Sequence, residues 1–162
     1  MEKLDVLIKW INLFHDKTKA SVLMNGSLTG FVASKIAIKI FGKENVVNII
    51  SPCYSTTDYM IESATFSNNI GVKHKDIGLK YIYDSIIDDA DEDIDLMLVD
   101  HLRSKIMSSV SFKNDSVVFE FVKRNDNYEF KIFFIDKNLQ ENTYISEITF
   151  SEDEIKEING LL

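Results

Sequence analysis

Three short apolar runs, separated by two stretches of helical periodicity, follow one another in the first half of this chain. They dictate most of what it can become. Residues 20–24 and 46–50 are compact apolar runs of buried-strand character, and 72–77 alternates as a third strand. Between the first two, residues 31–41 place Val32, Ile36, Ile40 and Phe41 on one helical face, with Gly42 as the C-cap. Residues 57–70 read as a second helix that ends near Asn69 and Gly71, and Pro52 stops the second strand. Strand, helix, strand, helix, strand with such short connections makes right-handed βαβ units and a parallel sheet.

The flanking segments extend this core. Residues 2–16 carry Leu4, Leu7, Ile8, Ile11 and Phe14 at helical spacing, and Trp10 joins that apolar face as a core residue. Residues 79–87 and 94–110 read as further helices, and the acidic run DDADEDID at 88–95 suits the positive N-terminal end of the second. That run lacks the glycine and the regular oxygen spacing of a calcium loop. The last third changes character. SVVFEFV, YEFKIFFI and TYISEITF are rich in aromatic and β-branched residues and are separated by polar turns, as in an antiparallel meander. SEDE at 151–154 is a capping box that opens a short final helix. The expected architecture is α/β: a three-layer sandwich with a parallel βαβαβ sheet, C-terminal antiparallel strands and a short final helix. It forms a single domain over 1–162, divided into an α/β part at 1–112 and a meander with a helix at 113–162.

With 162 residues, 45% of them hydrophobic and 27% charged, the chain can bury a core and reads as a soluble globular protein. No apolar run approaches the roughly 20 residues that span a bilayer, and the charged N-terminus does not read as a signal peptide. Cys53 is the single cysteine, which leaves no disulfide framework and no cysteine-based metal site. A cytoplasmic setting follows as the expectation. The net charge of −8 argues against direct binding to nucleic-acid phosphates.

The stretch VLMNGSLTG, 22–30, joins the first strand to the first long helix. Phosphate loops need backbone N–H groups converging on one concavity at a helix N-terminus, with glycine where the anion approaches. Asn25, Gly26, Ser27, Thr29 and Gly30 meet that demand in part. Neither G-x-x-x-x-G-K-[ST] nor G-x-G-x-x-G is present, so an ordinary strand-to-helix turn is the competing reading. His15, His74 and His101 are scattered without paired spacing, and no metal site is expected. His74 reads as solvent-exposed and His101 as a helix-surface residue. Cys53 lies at the carboxyl edge of the sheet, where open α/β folds bind ligands, but no base is evident beside it. Ser55, Thr56 and Thr57 suit capping of the next helix.

Taken over residues 18–112, the order of elements resembles the ammonia-dependent NAD synthetases of the PP-loop ATP pyrophosphatase superfamily. GKENV at 42–46, SPCYSTT at 51–57, ESA at 62–64 and NIGVKHKDI at 69–77 stand where that family has G-x-E-N-V, M-P-x-x-x-[ST]-[ST], D-A and L-G-I. VDHLRSKIMSSVSF at 99–112 stands at its E-N-L-Q-A-R-I-R helix. The resemblance implies a pyrophosphate-wrapping loop at Asn25, Gly26, Ser27, Thr29 and Gly30, with Ile50, Ser51, Tyr54 and Ser55 near an adenine and ribose. It also implies a tight homodimer, for which the 94–110 helix offers Leu96, Val99, Leu102, Arg103, Ile106 and Met107, with burial of that helix in the core of a single chain as the competing reading.

The departures carry the functional expectation. The family's S-G-G-x-D-S falls on Asn25-Gly26-Ser27-Leu28-Thr29-Gly30, so its aspartate is Thr29 and its second glycine is Ser27. Losing that carboxylate removes a hard oxygen ligand for a divalent cation. The family's later T-G-N-K-S-E segment is replaced by SVVFEFVKRNDNYEF. Adenylyl transfer relies on such groups to stabilise developing charge. The expected protein is therefore a pseudoenzyme without cofactor or catalytic residues. It acts through protein–protein contacts, in a binding, inhibitory or regulatory role, as a homodimer with an unknown partner. One alternative is a sensor that retains residual binding of ATP or an NAD-like ligand. Another is an acidic inhibitor of a host factor, carried by a virus or mobile element.

Overall fold

The computed structural model of the chain describes residues 2–14, 18–24, 26–52, 57–89, 101–103, 105 and 116–162. Helix α1 (Glu2–Ile11) runs into a 3-10 turn at Asn12–Phe14. It stops short of the expected residue 16. Strand β1 (Lys19–Met24), helix α2 (Leu28–Phe41), strand β2 (Val46–Ile50), helix α3 (Thr57–Ile70) and strand β3 (Lys73–Asp76) complete the expected βαβαβ unit. Helix α4 (Lys80–Asp89) follows, and residues 101–103 and 105 are helical. Strands β4 (Ser116–Arg124), β5 (Asn127–Ile135) and β6 (Glu141–Phe150) and helix α5 (Glu152–Leu161) close the chain.

All six strands form one sheet in the order β3-β2-β1-β4-β5-β6. β1 pairs in parallel with β2 on one side and with β4 on the other, and β3 pairs in parallel with β2. β5 and β6 then add antiparallel. The first strand of the expected meander is thus also the fourth strand of the parallel sheet. Its opening run Ser116-Val117-Val118-Phe119 is buried without interruption, which suits a strand covered on both faces.

One face of the sheet presents Val22 and Met24 of β1, Ile50 of β2 and Phe119 of β4. Against it pack Leu4, Leu7 and Ile11 of α1, Val32 and Ile36 of α2, and Ile155 and Ile158 of α5. Trp10 lies edge-on to Phe14, with ring centroids 5.5 Å apart, and packs against this core as expected. The opposite face carries Ile49, Val118 and Phe133, joined by Leu23, Val47 and Ile77. Most of the expected 94–110 helix lies outside the described residues.

Two local features fix the helices on the first face. Ser151 accepts from the Glu154 amide at 3.2 Å while Glu154 accepts from the Ser151 amide at 2.8 Å, so the capping box at the start of α5 is complete. In mid-sheet, Asn48 of β2 is fully buried and accepts from Ser34 Oγ of α2 at 2.9 Å. Its amide donates to Ser67 Oγ of α3 at 2.9 Å, and Ser67 donates on to the Ser63 carbonyl. This buried chain ties two helices to one strand through Ser34, Asn48 and Ser67 and ends on the Ser63 carbonyl.

Candidate functional site

The carboxyl ends of β1 and β2 lie in register, Met24 beside Ile50, and define the edge where an α/β sheet of this kind takes a ligand. Gly26 leaves β1 with φ at +69°, a conformation that glycine adopts without strain. Ser27 is the N-cap of α2 by backbone conformation, but its hydroxyl makes no cap hydrogen bond. It shares a 2.8 Å hydrogen bond with Thr29 Oγ1 instead. α2 starts at Leu28, not at the expected Phe31, so Thr29 and Gly30 belong to its first turn and both are buried. The expected loop is short: three residues separate β1 from α2, and Gly26-Ser27 run straight into a helix whose leading N–H groups have no cap from Ser27.

Tyr59, in the first turn of α3, fills the space beside this turn. Its ring carbon Cδ2 is 3.0 Å from where a Cβ on Gly26 would stand. Its hydroxyl donates to the Met24 carbonyl at 2.7 Å and accepts from the Ser51 amide at 3.3 Å. One phenol thereby bridges the ends of the two central strands. Burial pushes that phenol above its ordinary pKa, while the Ser51 hydrogen bond and the nearby Arg103 charge pull the other way. Tyr59 stays neutral and able to donate throughout the physiological range.

Ser51 sits at the centre of the arrangement. It is buried, its amide reaches Tyr59, and its carbonyl accepts from Arg103 Nε at 3.3 Å. Its hydroxyl has no hydrogen-bond partner among the described residues. β3 prolongs the edge: the Ile77 amide donates to the Ile50 carbonyl and the Leu79 amide to the Pro52 carbonyl. Ile50 itself is buried in the core.

The structure therefore brings Gly26, Ser27, Thr29, Gly30, Ile50 and Ser51 to one edge. Asn25, Cys53, Tyr54 and Ser55 fall outside the described residues. Of the expected interface set, Leu96, Val99, Ile106 and Met107 also fall outside, while Leu102 packs on Leu79 within the chain and Arg103 reaches Ser51. Tyr59 was not among the expected site residues. The signal for it was its place in the first turn of a helix that follows a β-strand, where a long side chain points back toward the sheet edge.

His101 is exposed on its helix, as expected. His74 is not solvent-exposed. It is half-buried on β3 opposite Asn48, with Nδ1 3.4 Å from the Asp76 carboxylate, because β3 packs that face against α3. His15 lies outside the described residues. Among the described residues no three His, Cys, Asp or Glu side chains gather where a metal ion would be held, and no helix is long and apolar enough to cross a membrane.

No protein-family model matches the chain, and no curated protein sequence is similar to it. Solved structures are. The NH3-dependent NAD synthetase from Campylobacter jejuni superposes with a TM-score of 0.61 at 16% identity, over 72% of this chain and 52% of its own. NMN synthetase from Francisella tularensis gives 0.61 at 14% identity over the same shares. The glutamine-dependent NAD+ synthetase from Acinetobacter baumannii, in complex with ADP, gives 0.63 at 16% identity over 71% of this chain and 24% of its own. The chain spans about half the length of the first two. At this level of identity the likeness is one of architecture: the chain has the α/β fold of the NAD synthetases.

Proposed function

We propose that this chain is a catalytically inactive NAD synthetase-like protein that acts by binding another protein and itself forms a homodimer. The observation that supports the reading best is Tyr59. Its ring stands against Gly26, and its hydroxyl is committed to both Met24 and Ser51, at the edge where the resemblance calls for a pyrophosphate and an adenosine. Thr29 adds to it. The position that would carry a cation-holding carboxylate is a hydroxyl hydrogen-bonded to Ser27. The test is an assay of the full chain with ATP, Mg²⁺, ammonia and deamido-NAD, read as AMP and pyrophosphate release. No release above a buffer blank is expected. Turnover that disappears in a Thr29→Ala variant would overturn the reading.

One feature favours the sensor alternative. Ser27 gives the N-terminus of α2 no side-chain cap, and Arg103 reaches the Ser51 carbonyl at the same edge. A panel of ATP, AMP, NAD and deamido-NAD, each with and without Mg²⁺, separates the two readings. Specific binding raises Tm in a saturable way, and the interaction reading expects no such rise.

A further inference from the structure

Lys19, Lys73 and Ser116 begin their strands at the opposite, amino-terminal edge of the sheet, and Lys75, two residues along β3, projects from the same face. Lys19 of β1 pairs with Ser116 of β4, Ser21 of β1 with Val47 of β2, and Val47 with Lys73 of β3. Parallel partners point to the same face and alternate residues return to it, so Lys19, Ser21, Lys73, Lys75 and Ser116 all project from one side. There they line a cavity of about 130 Å³. Among the described residues Lys19, Lys73 and Lys75 form no ion pair. Glu44 contributes the single carboxylate of the lining, and its side chain folds back over Gly42. Three ammonium groups against one carboxylate make a local excess of cations on a chain whose net charge is −8.

Edge protection accounts for part of this. β3 is an edge strand, and lysines on an edge discourage pairing with other chains. It does not account for Lys19, which sits on a central strand. Nor does it account for Ser21 and Ser116, two hydroxyl residues buried to 2% exposure in sheet positions that otherwise favour β-branched apolar side chains. Two small buried hydroxyl residues and three lysines thus share the lining of one cavity. The volume sets the size of the guest. It is several times that of a water molecule and well below the roughly 300 Å³ at which drug-sized pockets begin, so it suits one or two phosphate groups and not a dinucleotide.

We propose that this amino-terminal cavity is a binding site for a small phosphate-type anion, separate from the carboxyl-edge site and independent of what that site does. Lys19, Lys73 and Lys75 hold the charge, and the Ser21 hydroxyl reads the oxygens. The experiment titrates inorganic phosphate, and in parallel pyrophosphate, into the full ¹⁵N-labelled chain, with sodium chloride of equal ionic strength as the reference. The expected result is a saturable shift of the 19–21, 73–75 and 116 amides. A Lys19→Gln/Lys75→Gln variant weakens the apparent affinity at least tenfold, while Lys39→Gln on α2 leaves it unchanged. Both variants replace exposed side chains, and far-UV circular dichroism checks that they fold. Shifts no larger than those with chloride overturn the proposal. So does equal affinity in the double variant, and so do shifts centred on residues 26–30, which would place the anion at the α2 N-terminus.

Discussion

Single residues hold this sheet together at two points. Replacing Tyr59 with Phe removes the hydroxyl that joins Met24 and Ser51 and leaves the Met24 carbonyl without that donor. The expected cost is about 1–2 kcal/mol in denaturant unfolding, with no change in far-UV circular dichroism. Asn48→Ala is the stronger perturbation. It strands Ser34 and removes the donor to Ser67 in a fully buried site, so about 2–3 kcal/mol is expected by the same measurement. Gly26 was read from the sequence as a point of close anion approach, and its positive φ is a separate backbone demand that glycine meets. Tyr59 was not, because its role depends on how far apart two strand ends lie, and that distance comes from sheet pairing. Asn48 was likewise hidden, since a polar residue inside an apolar run names neither helix that will meet it.

Elements were read more easily than their ends. α3 and β2 fall where periodicity puts them, because Gly71 and Pro52 punctuate them. α2 starts earlier than its apolar stripe, because Ser27 supplies an N-cap backbone that the stripe does not record. The capping box of α5 was explicit in SEDE, and it also carries a pH response. Lys3 of α1 sits 2.7 Å from Glu154, and that hydrogen bond, followed by the one from the Ser151 amide, lowers the Glu154 pKa. A carboxylate whose folded pKa is depressed contributes stability above its unfolded value, and that contribution is lost as pH falls through the folded one. Stability should therefore decline below about pH 4.5 partly through this group. A Glu154→Gln variant should show a shallower decline between pH 5 and 3 in urea titrations, with flanks at about those limits. Ser151→Ala, which removes the cap at all pH values, should cost about 1 kcal/mol.

At the scale of the whole molecule, the pairing of β1 with β4 binds the two halves of the sequence into one sheet. A fragment ending at residue 112 keeps β1, β2 and β3 but lacks the strand that covers one side of β1, together with Phe119 and the α5 residues of the core. It should show no dispersed amide spectrum and no cooperative thermal transition, whereas the full chain shows both. The same pairing has a consequence during synthesis. A ribosome adding about 5–20 residues per second needs roughly 5–20 s to travel from the end of β1 to the start of β4. Through that interval the nascent chain presents a central strand with one hydrogen-bonding edge unpaired. Its partner on that side has not yet been translated, so the chain's yield in the cell depends on how well that open side is shielded until β4 emerges.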